Sequence, residues 1–445
     1  MRKTFYAVLL TIFSCSFGYA DSVTIVQGNS DAVYEVGDQA TFFIMYGADD
    51  PNSELDVFEM ETPLEWPVTV TFTNDNGELV LQTDGTVMDG APMICTATLQ
   101  KPGFLRCNAE IKKDTQSLYA TSAAAFSPEL IQPARDTVED FDAFWDQALK
   151  DLAAVPGNFQ KTHIPELSNT TRDVYLVRDT NINEQMIGGL LVIPKGEGPF
   201  PAVVAFPGAG PGFDAQAIDW NYRPGVITLA ANVFPYPTKV SLPDPDPEYI
   251  ALNKERPYYL QGAPDKNRYF YRAAITGLYR LLDDVTTLPQ WDGKNLALIG
   301  HSQGGAMAIA LGALHPATSC VVSWEPALSD HFGGQEGRQA GWPQVLANVS
   351  EADRKNYEAM LGYFDVVNFA RKLKVPTVMA VGFIDSICSP SSVYAVYNVI
   401  DAPKKMWNCP GYGHWISSEA HDNSRDWMHR MISGEAEEKE TSKTN

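Results

Sequence analysis

Leu296-Ala297-Leu298-Ile299-Gly300-His301-Ser302-Gln303-Gly304-Gly305 decides how the rest of this chain is read. The apolar run at its start predicts a buried strand. The run breaks at Gly300, a turn falls on Ser302, and small residues from Ala306 to Leu314 predict a helix. Strand, tight turn and helix form the context in which G-x-S-x-G lifts a serine hydroxyl to the tip of a strained turn. Gly300 and Gly304 let strand and helix pass close together there. The helix N-terminus then turns its positive end and free N–H groups toward the serine. The competing reading is a chance match in a glycine-rich loop. It lacks the strand before and the helix after.

The surrounding chain alternates in the same way. Val174–Val177 and Gly188–Pro194 predict an antiparallel pair. Ala202–Phe206, Gly225–Asn232, Ser319–Trp324, Val375–Phe383 and Lys404–Trp407 read as further strands. Helices are expected at Arg268–Thr287, from Ser391, and at Glu419–Ile432. This alternation predicts a mostly parallel, doubly wound sheet of the α/β-hydrolase kind. The proline-rich stretch Phe234–Pro264 and the variable stretch Glu325–Arg371 interrupt it and are expected to roof a pocket.

A serine hydroxyl is a weak nucleophile, so it needs a base, and the base needs an orienting carboxylate. In α/β-hydrolases these follow in the order Ser, Asp, His. Asp385 comes two residues after the strand ending at Phe383, and His414 lies in a loop before the last helix. The rival acid, Asp401, sits beside a proline and outside any strand end. The rival histidines, His421 and His429, fall within the last helix and read as surface residues. The tetrahedral intermediate needs two N–H donors. Gln303, directly after the serine, offers one, and Ala209 in the loop Pro207–Gly212 offers the other. Read as a phosphate cradle, that loop lacks the lysine and the full glycine pattern.

Bulk properties set the frame. At 445 residues the chain predicts two domains, and a net charge of −22 excludes nucleic acid and anionic membranes as partners. Arg2-Lys3, the apolar Phe5–Phe13 and Gly18-Tyr19-Ala20 read as a signal peptide over 1–20, so the protein is expected to be secreted or periplasmic. A membrane anchor would need a longer apolar run. Of six cysteines, Cys15 would leave with the signal; Cys95 and Cys107 flank an expected hairpin and are the candidate disulfide. No cysteine or histidine cluster points to a metal, and no cofactor is expected.

Residues 21–125 carry short β-branched and aromatic runs, such as Ala40–Tyr46 and Val68–Phe72, separated by turn signals such as Asn76-Gly77 and Asp89-Gly90. They predict a small all-β, immunoglobulin-like sandwich in front of an α/β domain over 126–433. Packing or oligomer contact is its expected role, because no aromatic platform for sugars is readable. Thr121–Arg135 reads as a linker, Thr137 as the cap of the next helix, and 434–445 as a disordered tail.

Four stretches resemble a known family, the acetyl xylan esterases and cephalosporin C deacetylases. Phe141-Asp142-Ala143-Phe144-Trp145 resembles its entry helix, and Arg268-Tyr269-Phe270-Tyr271-Arg272 its tyrosine-rich helix. Gly300-His301-Ser302-Gln303-Gly304-Gly305 is similar to its elbow, and Asp385–Asn398 to its acid-bearing segment. The likeness covers about 136–432. It implies Ser302 as nucleophile, Asp385 as acid and His414 as base. It also implies backbone donation from Ala209 into the oxyanion hole, removal of acetyl groups from small sugars or related esters, and assembly into ring-like homo-oligomers. Three departures stand out: Pro207 replaces a histidine, Ala231-Asn232-Val233-Phe234 stands where the family has Arg-Gly-Gln, and Trp415 replaces a glutamate after the base. The expectation is therefore a secreted serine esterase for short-chain esters. A serine peptidase, or an inactive binding protein on the same fold, is the alternative.

Overall fold

A computed structural model describes residues 22–47, 65–88, 91–113 and 115–434. The expected signal peptide, the turn at Asp89-Gly90 and the tail beyond Gly434 lie outside the described residues.

Period-two alternation builds the N-terminal part. In Ala40–Gly47, every second side chain from Ala40 to Tyr46 is buried. The strands are β1 (Ser22–Gln27), β2 (Val33–Tyr34), β3 (Ala40–Gly47), β4 (Glu65–Asn74), β5 (Leu79–Met88), β6 (Met93–Ala97), β7 (Gly103–Lys113) and β8 (Gln116–Phe126). They form two sheets, β1-β3-β6 and β2-β8-β7-β4-β5. Phe42 and Phe72, one from each sheet, meet at 5.3 Å in the shared core.

Two expectations fail here. The run Ala123-Ala124-Ala125 is no linker: β8 continues to Phe126 and is buried on both faces. Ala124 and Phe126 fill the sandwich core, while Ala123 and Ala125 join the core of the second part. Small residues stand there because another layer packs closely on that face. Cys95 and Cys107 are free thiols. They do not flank a hairpin, since β6 pairs with β3 and β7 with β4 and β8. Both thiols lie in the sandwich core.

The second part is a nine-stranded sheet. Its strands are β9 (Gln160–His163), β10 (Arg172–Thr180), β11 (Met186–Pro194), β12 (Phe200–Phe206), β13 (Ile227–Ala231), β14 (Trp291–His301), β15 (Thr318–Trp324), β16 (Thr377–Gly382) and β17 (Lys404–Cys409). The order is β17-β16-β15-β14-β12-β13-β11-β10-β9, with β9 to β11 antiparallel and the run from β13 to β17 parallel. The helices are α1 (Phe141–Ala153), α2 (Gln216–Asn221), α3 (Pro247–Asn253), α4 (Phe270–Thr286), α5 (Gln303–Leu314), α6 (Glu351–Leu361), α7 (Val366–Ala370), α8 (Pro390–Asn398) and α9 (Ser418–Ser433). Alternation along β14 sends Leu296 and Leu298 to one core, and Ala297 and Ile299 to the other, where Met428 and Ile432 of α9 cover them. The sheet is thus covered on both faces, as an α/β-hydrolase sheet is. Thr137 does not cap α1; its hydroxyl donates to Asn368 Oδ1, and the helix begins after Asp140. Among the described residues, no helix is long and apolar enough to cross a membrane.

Candidate active site

β14 lies inside the sheet between β12 and β15, so its C-terminal end is surrounded by other strand ends. Ser302 follows it with φ +58° and ψ −120°, a conformation that costs a non-glycine residue about 1–3 kcal/mol and survives only where its surroundings impose it. They do so: Ser302 N–H donates to Trp324 O at 2.9 Å, and Ser302 O accepts from Ala306 and Ala327. A Cβ on Gly300 would sit 2.2 Å from the Gly304 backbone, and one on Gly304 would sit 2.1 Å from Phe206 O. α5, buried over its first ten residues, anchors the turn from the other side.

The three residues expected to cooperate come together in order. Ser302 Oγ lies 3.0 Å from His414 Nε2, and His414 Nδ1 lies 2.7 Å from Asp385 Oδ2. Asp385 is fully buried, and its other oxygen accepts the N–H groups of Ile387 (2.7 Å) and Cys388 (3.1 Å). Both carboxylate oxygens are therefore held. Burial pulls the His414 imidazole down, but the hydrogen bond and charge of Asp385 outweigh it, with Glu325 adding to them once it is ionised, so His414 titrates above the usual histidine range.

The N–H groups of Ala209 and Gln303 have no partner among the described residues. The Gln303 side chain ties the two loops together. Its Oε1 accepts from Tyr258 OH (2.6 Å) and Tyr271 OH (2.9 Å), and its Nε2 reaches Gly208 O at 3.4 Å. Asn232 holds the far end of the loop. Its Oδ1 accepts Phe213 N–H at 2.6 Å and its Nδ2 donates to Thr238 Oγ1 at 3.0 Å. Asn232 thus supports the end of the Pro207–Gly212 loop where the resemblance led one to expect Arg-Gly-Gln. The two interrupting stretches meet above Gln303, where Tyr259 packs on Trp342 at 4.9 Å.

The sandwich reaches the acid. Along β7, Leu105 and Cys107 point into the sandwich core, while Phe104 and Arg106 point the other way. Phe104 packs edge-on against Phe383 at 5.0 Å, and Arg106 Nη2 donates to the Asp385 carbonyl. Buried Asp75 accepts Ser391 N–H at the start of α8 at 3.3 Å. Nothing local in β7 or in the turn after β4 marks these side chains, because they pair with residues some 280–320 positions away.

The sequence reading missed Glu325. It follows the end of β15 with φ +45° and is fully buried. Its Oε1 accepts Gly382 N–H at 2.9 Å, and its Oε2 lies 2.8 Å from His301 Nε2 and 3.8 Å from His414 Nδ1. A signal existed: Glu325 is an acid just beyond a strand end, the same rule that singled out Asp385. His301 in turn stacks on Trp415 at 5.0 Å and 16°, and Trp415 is 73% exposed.

The rivals fall away from the centre. Asp401 is exposed on the surface, and His421 meets Asp422 and Trp324. His429 is not a surface residue as expected; it is 8% exposed, packed on the inner side of α9, and burial lowers it to about 4. Two groups of potential ligands have donor atoms within 4.8 Å of one another: His301, Glu325 and His414, and Asp385, Cys388 and His414. Both run through His414, whose two nitrogens already face Ser302 and Asp385, so they belong to this network.

Residues 129–431 match the family model described as acetyl xylan esterase (AXE1). The chain is 28% identical to acetyl esterase Axe7A of Xylanibacter ruminicola, over 97% of each chain. The fold is similar to that of acetyl xylan esterase 1 from Thermoanaerobacterium sp. JW/SL YS485, with a TM-score of 0.60 and 24% identity, covering 68% of this chain and 97% of that one. It is similar also to acetyl xylan esterase from Paenibacillus sp. R4, with a TM-score of 0.59 and 24% identity, covering 68% and 98%. With a family model matched across both the elbow and the acid-bearing segment, this chain belongs to the acetyl xylan esterase family.

Proposed function

We propose that this chain is an exported serine esterase that removes acetyl or other short acyl groups from carbohydrates through an acyl-enzyme. The observation that carries the reading is the unbroken relay from Ser302 Oγ through the His414 ring to buried Asp385. His414 Nε2 takes the Ser302 proton as Oγ attacks the ester carbonyl. The N–H groups of Ala209 and Gln303 receive the oxyanion. His414 then gives its proton to the departing alcohol, and next deprotonates the water that releases the acid. Asp385 holds the Nδ1 tautomer and offsets the imidazolium charge.

The carbohydrate part of the reading is supported by the family and by the name of the acetyl esterase that this chain matches end to end. The exposed face of Trp415 supports it too, since an aromatic face suits the C–H face of a sugar. Export is supported by Arg2-Lys3, the apolar run and Gly18-Tyr19-Ala20; N-terminal sequencing of the released protein should begin at Asp21.

The test compares aryl acetate, butyrate and octanoate, acetylated xylo-oligosaccharides, and a peptide amide. Acetate should turn over fastest, octanoate at least about tenfold slower, and the sugar acetates should be deacetylated. Cleavage of the peptide amide, or no ester turnover at all, would overturn the reading.

A further inference from the structure

Glu325 is a buried acid beside the relay that the relay itself does not use. A carboxyl placed out of water is costly unless its oxygens are paired. Here both are, by Gly382 N–H and by His301. The neighbourhood is shaped around it. A Cβ on Gly382 would come 2.8 Å from Glu325 Oε1, and the Glu325 backbone is held at a strained positive φ while its N–H donates to Ala380 O. Its position also bears on the chemistry. Glu325 directly follows the strand that lies between the elbow strand and the strand leading to Asp385, and its Oε2 lies 3.8 Å from the nitrogen that Asp385 holds.

We propose that Glu325 is a second acid for His414, kept beside Asp385 and able to take the Nδ1 hydrogen bond when Asp385 cannot. The inference rests on the relay reading above. Glu325 acts through His414, so it is a positioning residue and does not touch the ester. During turnover the Ser302 O–H bond breaks, an N–H bond forms at His414 Nε2, and the Nδ1 proton stays on the ring, facing whichever carboxylate is present.

The charges around Glu325 explain why it stands in reserve. Asp385, His301 and His414 face it directly, and the thiols of Cys388 and Cys409 lie close enough to feel its charge once it is ionised. Burial, and then the charge of Asp385, push Glu325 up to about 8, so near neutral pH it keeps its proton and gives it to His301 Nε2 as a hydrogen bond. Burial and His414 lower His301 to about 4, which leaves that ring neutral to accept it. Removing the charge of Asp385 removes one reason for Glu325 to stay protonated. Its proton then leaves to water, and a carboxylate remains in reach of Nδ1–H. In the intact enzyme the same ionisation occurs as pH rises through about 8 and adds a second anion beside the forming imidazolium.

The test uses Asp385→Asn, Glu325→Gln and the double variant, each checked for folding by thermal melting, with kcat/KM on an aryl acetate. Losing a triad acid with no replacement costs about 10⁴-fold. Asp385→Asn should lose only about 10²-fold, and the double variant should fall the rest of the way. Equal activity in Asp385→Asn and the double variant overturns the proposal. No loss in Asp385→Asn overturns the relay reading itself. Should Asp385→Asn not fold, the pH profile of Glu325→Gln decides. A rise in wild-type kcat/KM through about pH 8 that vanishes in Glu325→Gln supports the second acid, and superimposable profiles overturn it.

Discussion

The elbow at Ser302 and the acid segment at Asp385 deliver two ends of one relay, yet they are held in different ways. The elbow is made by its own neighbours: glycines at 300 and 304, an apolar strand before, a buried helix after. The acid segment is held from a distance. Arg106, Phe104 and Asp75 come from the sandwich, the Gln339 side chain donates to Ser386 O at 2.6 Å, and Trp342 N–H donates to Ile387 O at 2.9 Å. The nucleophile is placed mainly by its own strand, turn and helix, with Phe206 and Trp324 of the flanking strands closing around it. A charge that must meet a histidine 29 residues on is placed by the whole fold.

That contrast can be broken at either end. Ser302→Ala should cut kcat by about 10⁴- to 10⁶-fold while melting stays nearly unchanged, since the Oγ that is lost meets His414 Nε2 and the Cys388 thiol and carries none of the backbone bonds that hold the turn. Gly304→Ala puts a methyl against Phe206 O, backbone that cannot give way; it should cost about 1–3 kcal/mol in melting and about 10²-fold in kcat. The relay as a unit should show in pH. His414 must be neutral to act and is held above its ordinary value, so kcat/KM should fall about tenfold per unit below a pH that lies above the usual histidine value of about 6.5. Arg106→Ala should lower kcat about tenfold with KM nearly unchanged, because it loosens Asp385 without touching the ester. An unchanged kcat would mean that the acid segment is as self-sufficient as the elbow. Trp415→Ala should raise KM about fivefold for acetylated xylo-oligosaccharides and leave aryl acetate alone.

The same contrast governs what could be read from the chain. The elbow, the strand and helix alternation and the order of Ser302, Asp385 and His414 were legible because each has a local pattern: a period, a breaker, an acid or histidine just beyond a strand. Ala123-Ala124-Ala125 was misread because small residues mean a linker when exposed and close packing when covered, and only the second layer decides which. Cys95 and Cys107 were misjudged because nearness in sequence did not reveal that their strands belong to different sheets. Arg106 in a strand and Asp75 in the turn after β4 were silent, since a charged residue at either kind of position ordinarily faces water. Glu325 lay within the rule already in use and was passed over as the first residue of a variable stretch.

The central claim is that Ser302 carries the acyl group. A fluorophosphonate that mimics the tetrahedral intermediate, followed by intact-mass measurement and peptide mapping, tests it most directly. The account predicts one adduct per chain, on Ser302, with activity lost in proportion to labelling and no adduct in Ser302→Ala. Full ester turnover after Ser302 is completely labelled, or inactivation by an adduct on another residue, would contradict it.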